Sequence, residues 1–158
     1  MPILKLDDYT LDPDGLDWGD LLASWAWLLP AEFTLWFANR FGDLFIVLDD
    51  DSVQKLDVGT GALEALAESR EAFSEAMDDI GNANDWLMIP LVDDLVAAGV
   101  TLGPGQCYSY VQLPVLGGDY SVENIRVVSL EQNYRALGAV HQKIKGLADG
   151  TQATSPTD

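Results

Sequence analysis

Positive charge, histidine and cysteine are all scarce in this chain. Its 158 residues hold eight Lys and Arg, one His and one Cys, against 26 Asp and Glu, for a formal charge of −18 at pH 7. A lone Cys107 excludes an internal disulfide and any multi-cysteine zinc site, and makes a reducing compartment, the cytoplasm, the expected location. His141 has no nearby partners for a general base or a metal site, so it reads as a hydrogen-bonded boundary residue on a helix, and Cys107 as a small core residue in a strand. The missing basic cluster argues against direct nucleic-acid or nucleotide binding. Long apolar runs are absent too. The stretch Leu21 to Leu29 is too short to span a bilayer and follows Asp17 and Asp20 where a signal peptide would be basic, so it reads as a buried helix. No membrane association, no cofactor, no metal and no catalytic residue are expected.

What is abundant is apolar surface and acid. Hydrophobic residues make up 48% of the chain, with five Trp, five Tyr and five Phe, which argues for a folded core rather than disorder. At this length one domain is the default, over 1–148, with a frayed tail over 149–158. Twenty-one of the 26 acids lie before position 96, against four basic residues (Lys5, Arg40, Lys55, Arg70), so that stretch carries about −17. Such a surface draws cationic partners and repels nucleic acid and anionic membranes. The same acidity also serves plain solubility.

The pattern predicts a single α+β domain, a largely antiparallel sheet packed against several helices. An extended segment, Met1 to Gly15, ends in turn chemistry at Pro13-Asp14-Gly15. Asp17 caps a helix with Leu21, Trp25 and Leu28 on its core face, stopped at Pro30. Phe33, Leu35 and Phe37 alternate as a strand. Leu44 to Leu48 and the Leu56, Val58 stretch then form a hairpin around Asp49-Asp50-Asp51, closed by Gly59-Thr60-Gly61. Ser69 caps a helix whose stripe is Phe73, Ala76, Met77 and Ile80, ending at Gly81. Another helix starts near Pro90. Strands follow around Cys107 to Val111 and Ile125 to Val128 and join the same sheet. A Ser129/Gln132 capping box then opens a last helix with Leu130, Tyr134, Leu137, His141 and Ile144 on one stripe.

Several motifs invite chemistry and fail on spacing. Neither Asp12 to Asp17 nor Asp49 to Asp51 places ligands as a calcium loop requires. Gly59-Thr60-Gly61 and Gly103-Pro104-Gly105 lack the remaining positions of a phosphate loop. Trp27 points away from the Trp25 stripe, making it a candidate for a second packing surface, with packing against the N-terminal segment as the alternative.

The segments Phe41-Gly42-Asp43-Leu44-Phe45-Ile46-Val47-Leu48-Asp49-Asp50, Leu56-Asp57-Val58-Gly59-Thr60-Gly61, Asn84-Asp85-Trp86-Leu87, Gly103-Pro104-Gly105-Gln106-Cys107-Tyr108 and Leu116-Gly117-Gly118-Asp119-Tyr120 occur in order over most of the chain. Together they resemble the C-terminal domain of bacterial type VI secretion immunity proteins that neutralise a DNase effector, over about Phe33 to Thr151. The resemblance implies a non-enzymatic cytoplasmic inhibitor that binds a toxic nuclease and covers its DNA-contacting surface. Longer relatives carry an additional N-terminal domain, for which there is no room before Phe33.

Charge and resemblance point to one partner, a basic effector protein, because nucleases grip DNA with basic surfaces that an acidic protein can occupy. Asp49, Asp50, Asp51, Glu71, Glu75, Asp78, Asp79, Asp93 and Asp94 are the candidate partner-binding residues, with a solvated face as the ordinary alternative for each. The competing function is a regulatory or small-ligand-binding module with a pocket between sheet and helices. Oligomeric state is left open.

Overall fold

The computed structural model describes residues 8–11 and 15–148. The expected turn at Pro13-Asp14 and the tail from Asp149 lie outside the described residues.

Four strands, β1 (Thr34–Ala38), β2 (Leu44–Val47), β3 (Val53–Asp57) and β4 (Ala62–Ala67), form an antiparallel meander in sequence order. The mixed α+β class expected from the sequence is what is found. β2 is buried on both faces. Leu44, Ile46, Leu56 and Val58 meet Trp25, Tyr134 and Leu137 on one side, and Phe45, Val47 and Val53 meet Phe73 on the other. The β2–β3 hairpin forms where the sequence put it, with Asp51 at φ 74 in the turn, a conformation short polar side chains tolerate. Nothing in the pattern Ala-Leu-Glu-Ala-Leu-Ala predicts β4. Alanine and leucine favour helix, and pairing with β3 overrides that preference.

The later strands, β5 (Gln106–Tyr110) and β6 (Ile125–Ser129), form a separate two-stranded sheet, which corrects the expectation of a single sheet. A backbone bond, Tyr108 N–H to the Arg40 carbonyl at 2.9 Å, links β5 to the turn that follows β1. A ladder cannot continue there, because the chain turns at once, with Gly42 at φ 85 donating to the Asn39 carbonyl.

The helices depart from expectation in two places. Asp17 does cap α1 (Trp18–Leu21), accepting the Asp20 N–H at 3.1 Å, but the helix gives way to a 3₁₀ turn at Ala23–Trp25. The tighter winding buries Leu29 and leaves Leu28 half-exposed. It also presses the Ser24 carbonyl against the last helix at Gly138, where an added Cβ would lie 2.5 Å from that oxygen. Ser69 caps α2 (Arg70–Met77) as read, accepting the Ala72 N–H at 3.0 Å. That helix stops before Ile80, however, because the extended Asp79 accepts the Gly81 N–H and begins α3 (Ile80–Leu87). Ile80 is accordingly 65% exposed rather than on the core stripe. Met88, at φ 55, hands α3 over to α4 (Ile89–Ala97), whose first turn holds Pro90 as expected. Finally α5 (Leu130–Ala148) follows β6, with Ser129 Oγ accepting the Gln132 N–H at 3.3 Å and Leu130, Tyr134, Leu137 and His141 buried.

Candidate functional site

The predicted acidic residues divide into two groups. Asp49 and Asp50 are exposed at the tip of the β2–β3 turn, and Asp51 beside them is half-buried. Asp50 accepts the Ser52 N–H at 3.0 Å, and its hydrogen bonds from the Ser52 hydroxyl and N–H hold its carboxyl below the ordinary range. Asp51 ties this turn to α2: one carboxylate oxygen takes Arg70 Nε at 2.7 Å and the other takes the Arg70 N–H at 3.1 Å. The turn therefore abuts the N-terminus of α2, whose exposed Glu71 and Glu75 lie one turn apart. Asp78 and Asp79 follow at the α2–α3 junction, both exposed. These seven residues make one acidic edge.

Asp93 and Asp94 stand apart on α4, which packs on α3, which in turn packs on α2. Asp93 accepts the Tyr9 hydroxyl at 2.8 Å, a bond that raises the tyrosine's pKa. Asp94 borders a cleft of about 380 Å³ between β3, α3 and α4, together with Lys55, Asp57, Asp85, Met88 and Tyr120.

Sequence reasoning gave no role to Lys55, Asp57, Asp85 or Tyr120. Three of them were visible as motif residues, and the structure gathers those motifs, distant in sequence, at one cleft. Lys55 was hidden for another reason. Val53, Lys55 and Asp57 alternate with Leu56 and Val58, which packs Leu56 and Val58 into the main core and turns Lys55 to the opposite face, where it is 5% exposed.

Behind the cleft lies a buried polar network. Asn39 Oδ1 accepts the N–H groups of Phe41 and Asp43 at 2.9 and 3.0 Å, while its Nδ2 donates to Asp43 Oδ2 at 2.9 Å and the Trp86 carbonyl at 3.0 Å. Asp43 Oδ1 accepts the Val58 N–H at 2.9 Å. Burial pushes the Asp43 carboxyl up to about 7; Asp57 adds to the shift, while Lys55 and the bonds from Asn39 and Val58 oppose it. The network ties the β1–β2 turn to β3 and α3.

Cys107 is a core residue, as the sequence suggested, and His141 is hydrogen-bonded as expected but buried in the core rather than at its boundary. His141 is 3% exposed, its Nε2 lies 2.8 Å from the Val58 carbonyl, and its ring rests 5.6 Å from that of Trp25. Because the carbonyl only accepts, Nε2 carries the proton. Cys107 is fully buried and its thiol is pushed up to about 12. Trp27 is half-buried and stacks on Trp25 at 6.1 Å, so the better-exposed tryptophan is Trp36 at 37%. At the β-bulge between Leu35 and Phe37, Trp36 lies beside Phe37 on the α2 side, its ring 5.2 Å from that of Phe73, while Phe37 stacks on Phe45. Among the described residues, no group of three or more His, Cys, Asp or Glu side chains is placed to hold a metal ion, and no helix is long and apolar enough to cross a membrane.

Comparison with known proteins bears on this arrangement. No curated protein matches the chain. Among solved structures, the crystal structure of Atu4351 from Agrobacterium tumefaciens is similar, with 21% identity and a TM-score of 0.49 over 76% of this chain; the match spans 60% of that one. A family model described as "T6SS immunity protein Tdi1, C-terminal" matches residues 67–141. That segment runs from the end of β4 into α5 and contains the Asn84, Gly103 and Leu116 motifs, while the Phe41 and Leu56 motifs precede it. Over residues 67–141, this chain is therefore similar to the C-terminal domain family of type VI secretion immunity proteins.

Proposed function

We propose that this protein is a cytoplasmic, non-enzymatic inhibitor that binds a basic effector, a nuclease, and neutralises it stoichiometrically by covering its substrate-binding surface. The observation that carries this reading is the match of residues 67–141 to an immunity-protein family. The acidic edge supplies a physical route. Asp49, Asp50, Asp51, Glu71, Glu75, Asp78 and Asp79 concentrate negative charge on the β2–β3 turn, on α2 and where α2 meets α3, and such a field accelerates encounter with a cationic surface and imitates the phosphates it would otherwise hold. Trp36, beside α2, adds an aromatic anchor of the kind that dominates interface energies. Asp93 and Asp94 extend the negative surface along α4.

Co-expression with the toxin encoded beside its gene tests the function directly, with rescue of growth as the expected result. For the purified pair, affinity should fall with added salt. Replacing Asp49, Asp50 and Asp51 by Asn should slow association by about tenfold while changing dissociation less. Salt-independent binding with an unchanged association rate would remove the electrostatic route, and failure to rescue against every neighbouring toxin would remove the inhibitor reading itself.

A further inference from the structure

The cleft beside α4 holds an ammonium that has carboxylates near it but no hydrogen-bonded acceptor among the described residues. Lys55 is 5% exposed, and its one ion pair among the described residues is with Asp57 Oδ2 at 3.9 Å. That distance permits Coulombic attraction but is too long for a hydrogen bond. A buried ammonium ordinarily gathers acceptors for its three N–H groups, since losing water without replacement is costly. Its cross-strand neighbours are the buried Phe45 on β2, which offers none, and the exposed Glu64 on β4, which forms no ion pair with it among the described residues. The open side of Lys55 is the cleft.

The remaining walls complete a chemical description. Asp57, Asp85 and Asp94 outnumber the single lysine, so the cleft is net negative, while Met88, Leu91 and Tyr120 supply apolar surface. Burial together with Asp57, Asp43 and Asp85 pushes the Tyr120 hydroxyl up to about 12, so these carboxylates act on the same space. At about 380 Å³ the cavity suits a small molecule rather than a chain segment. A simple anion would meet Lys55 but be repelled by three carboxylates, and a simple cation would leave Lys55 without an acceptor.

We propose that this cleft binds a small ligand carrying one carboxylate and an excess of cationic groups, the chemistry of a basic amino acid. The carboxylate meets Lys55, the cationic end meets Asp85 and Asp94, and the aliphatic part lies against Met88 and Tyr120. This site requires no effector, so its failure and the failure of the inhibitor reading are separate results.

Isothermal titration of the purified chain with L-arginine, L-lysine, L-glutamate and putrescine tests it. Arginine or lysine should bind with a Kd below about 1 mM, ahead of putrescine, which lacks the carboxylate, and far ahead of glutamate. Lys55→Met should weaken arginine by about tenfold or more and leave putrescine unchanged or tighter, because it removes the carboxylate's partner and a like charge together. Asp85→Asn with Asp94→Asn, both exposed positions, should weaken arginine and putrescine alike. No binding of either basic amino acid at tens of millimolar overturns the proposal, as does unchanged affinity in both variants. Should Lys55→Met fail to fold, the wild-type ranking decides, and putrescine binding at least as tightly as arginine counts against the site.

Discussion

Aspartate serves opposite ends in two regions of this molecule. Along the acidic edge, Asp49, Asp50 and Asp51 stand in or near solvent, where their bonds shape a turn and fasten it to α2. Behind the cleft, Asp43 is 1% exposed, bonded to Asn39 and Val58, and holds its proton far above the ordinary range. The first kind contributes to the electric field that partners feel at a distance. The second organises the fold locally and contributes to the field only when ionised. A count of carboxylates therefore describes the long-range field and overstates how many act through it.

Three experiments sharpen that contrast, and the interior should give the largest effect. Asn39→Ala removes two acceptor and two donor bonds at a buried position and leaves backbone groups of Phe41, Asp43 and Trp86 unpaired. A loss of about 3 kcal/mol or more is expected, read from urea unfolding with an unchanged m-value. A loss below about 1 kcal/mol would show that water replaces the side chain and that the network is not the brace described.

The next effect concerns pH. In the unfolded chain Asp43 titrates near 3.8, and in the fold near 7, so the folded state binds this proton more tightly. Its contribution to stability is therefore fullest below about 4, declines as pH rises toward about 7, and is level above that. Carbon NMR of the Asp43 carboxyl should give a midpoint within about one unit of 7. A midpoint near 4 would mean that burial does not hold the Asp43 proton and would erase the contrast.

The smallest effect belongs to the edge. The Asp51–Arg70 pair joins an exposed arginine to a half-buried aspartate, so Arg70→Ala should cost less than about 1 kcal/mol, with a double-mutant cycle against Asp51→Asn isolating the pair. A coupling above about 2 kcal/mol would mean that this surface contact braces the hairpin as strongly as the interior does.

Much of the architecture was legible because it rests on neighbours in sequence. Caps at Asp17, Ser69 and Ser129, the Asp49 to Asp51 turn and the helical start near Pro90 each depend on a few consecutive residues, and all are found. What was missed had two sources, one a distant pairing and one a competing local cap. β4 is a strand through its ladder with β3, and the helix after Ser69 stops because Asp79 finds a better use for its carboxylate as a cap. For the candidate surface, sequence proximity joined Asp49 to Asp51 and Glu71 to Glu75, but the Asp51–Arg70 contact brings those two groups together.

The sequence by itself determined the net charge, the kinds of elements and the family likeness, since composition, periodicity and motif order are properties of the chain read along its length. Tertiary structure alone decided that the strands split into two sheets, that Trp36 rather than Trp27 faces outward, and that Lys55 shares a cleft with Asp57, Asp85 and Asp94. The reason is physical: whether a charged side chain meets water, a partner or another charge depends on which distant segments fold over it, and those contacts carry no local signature.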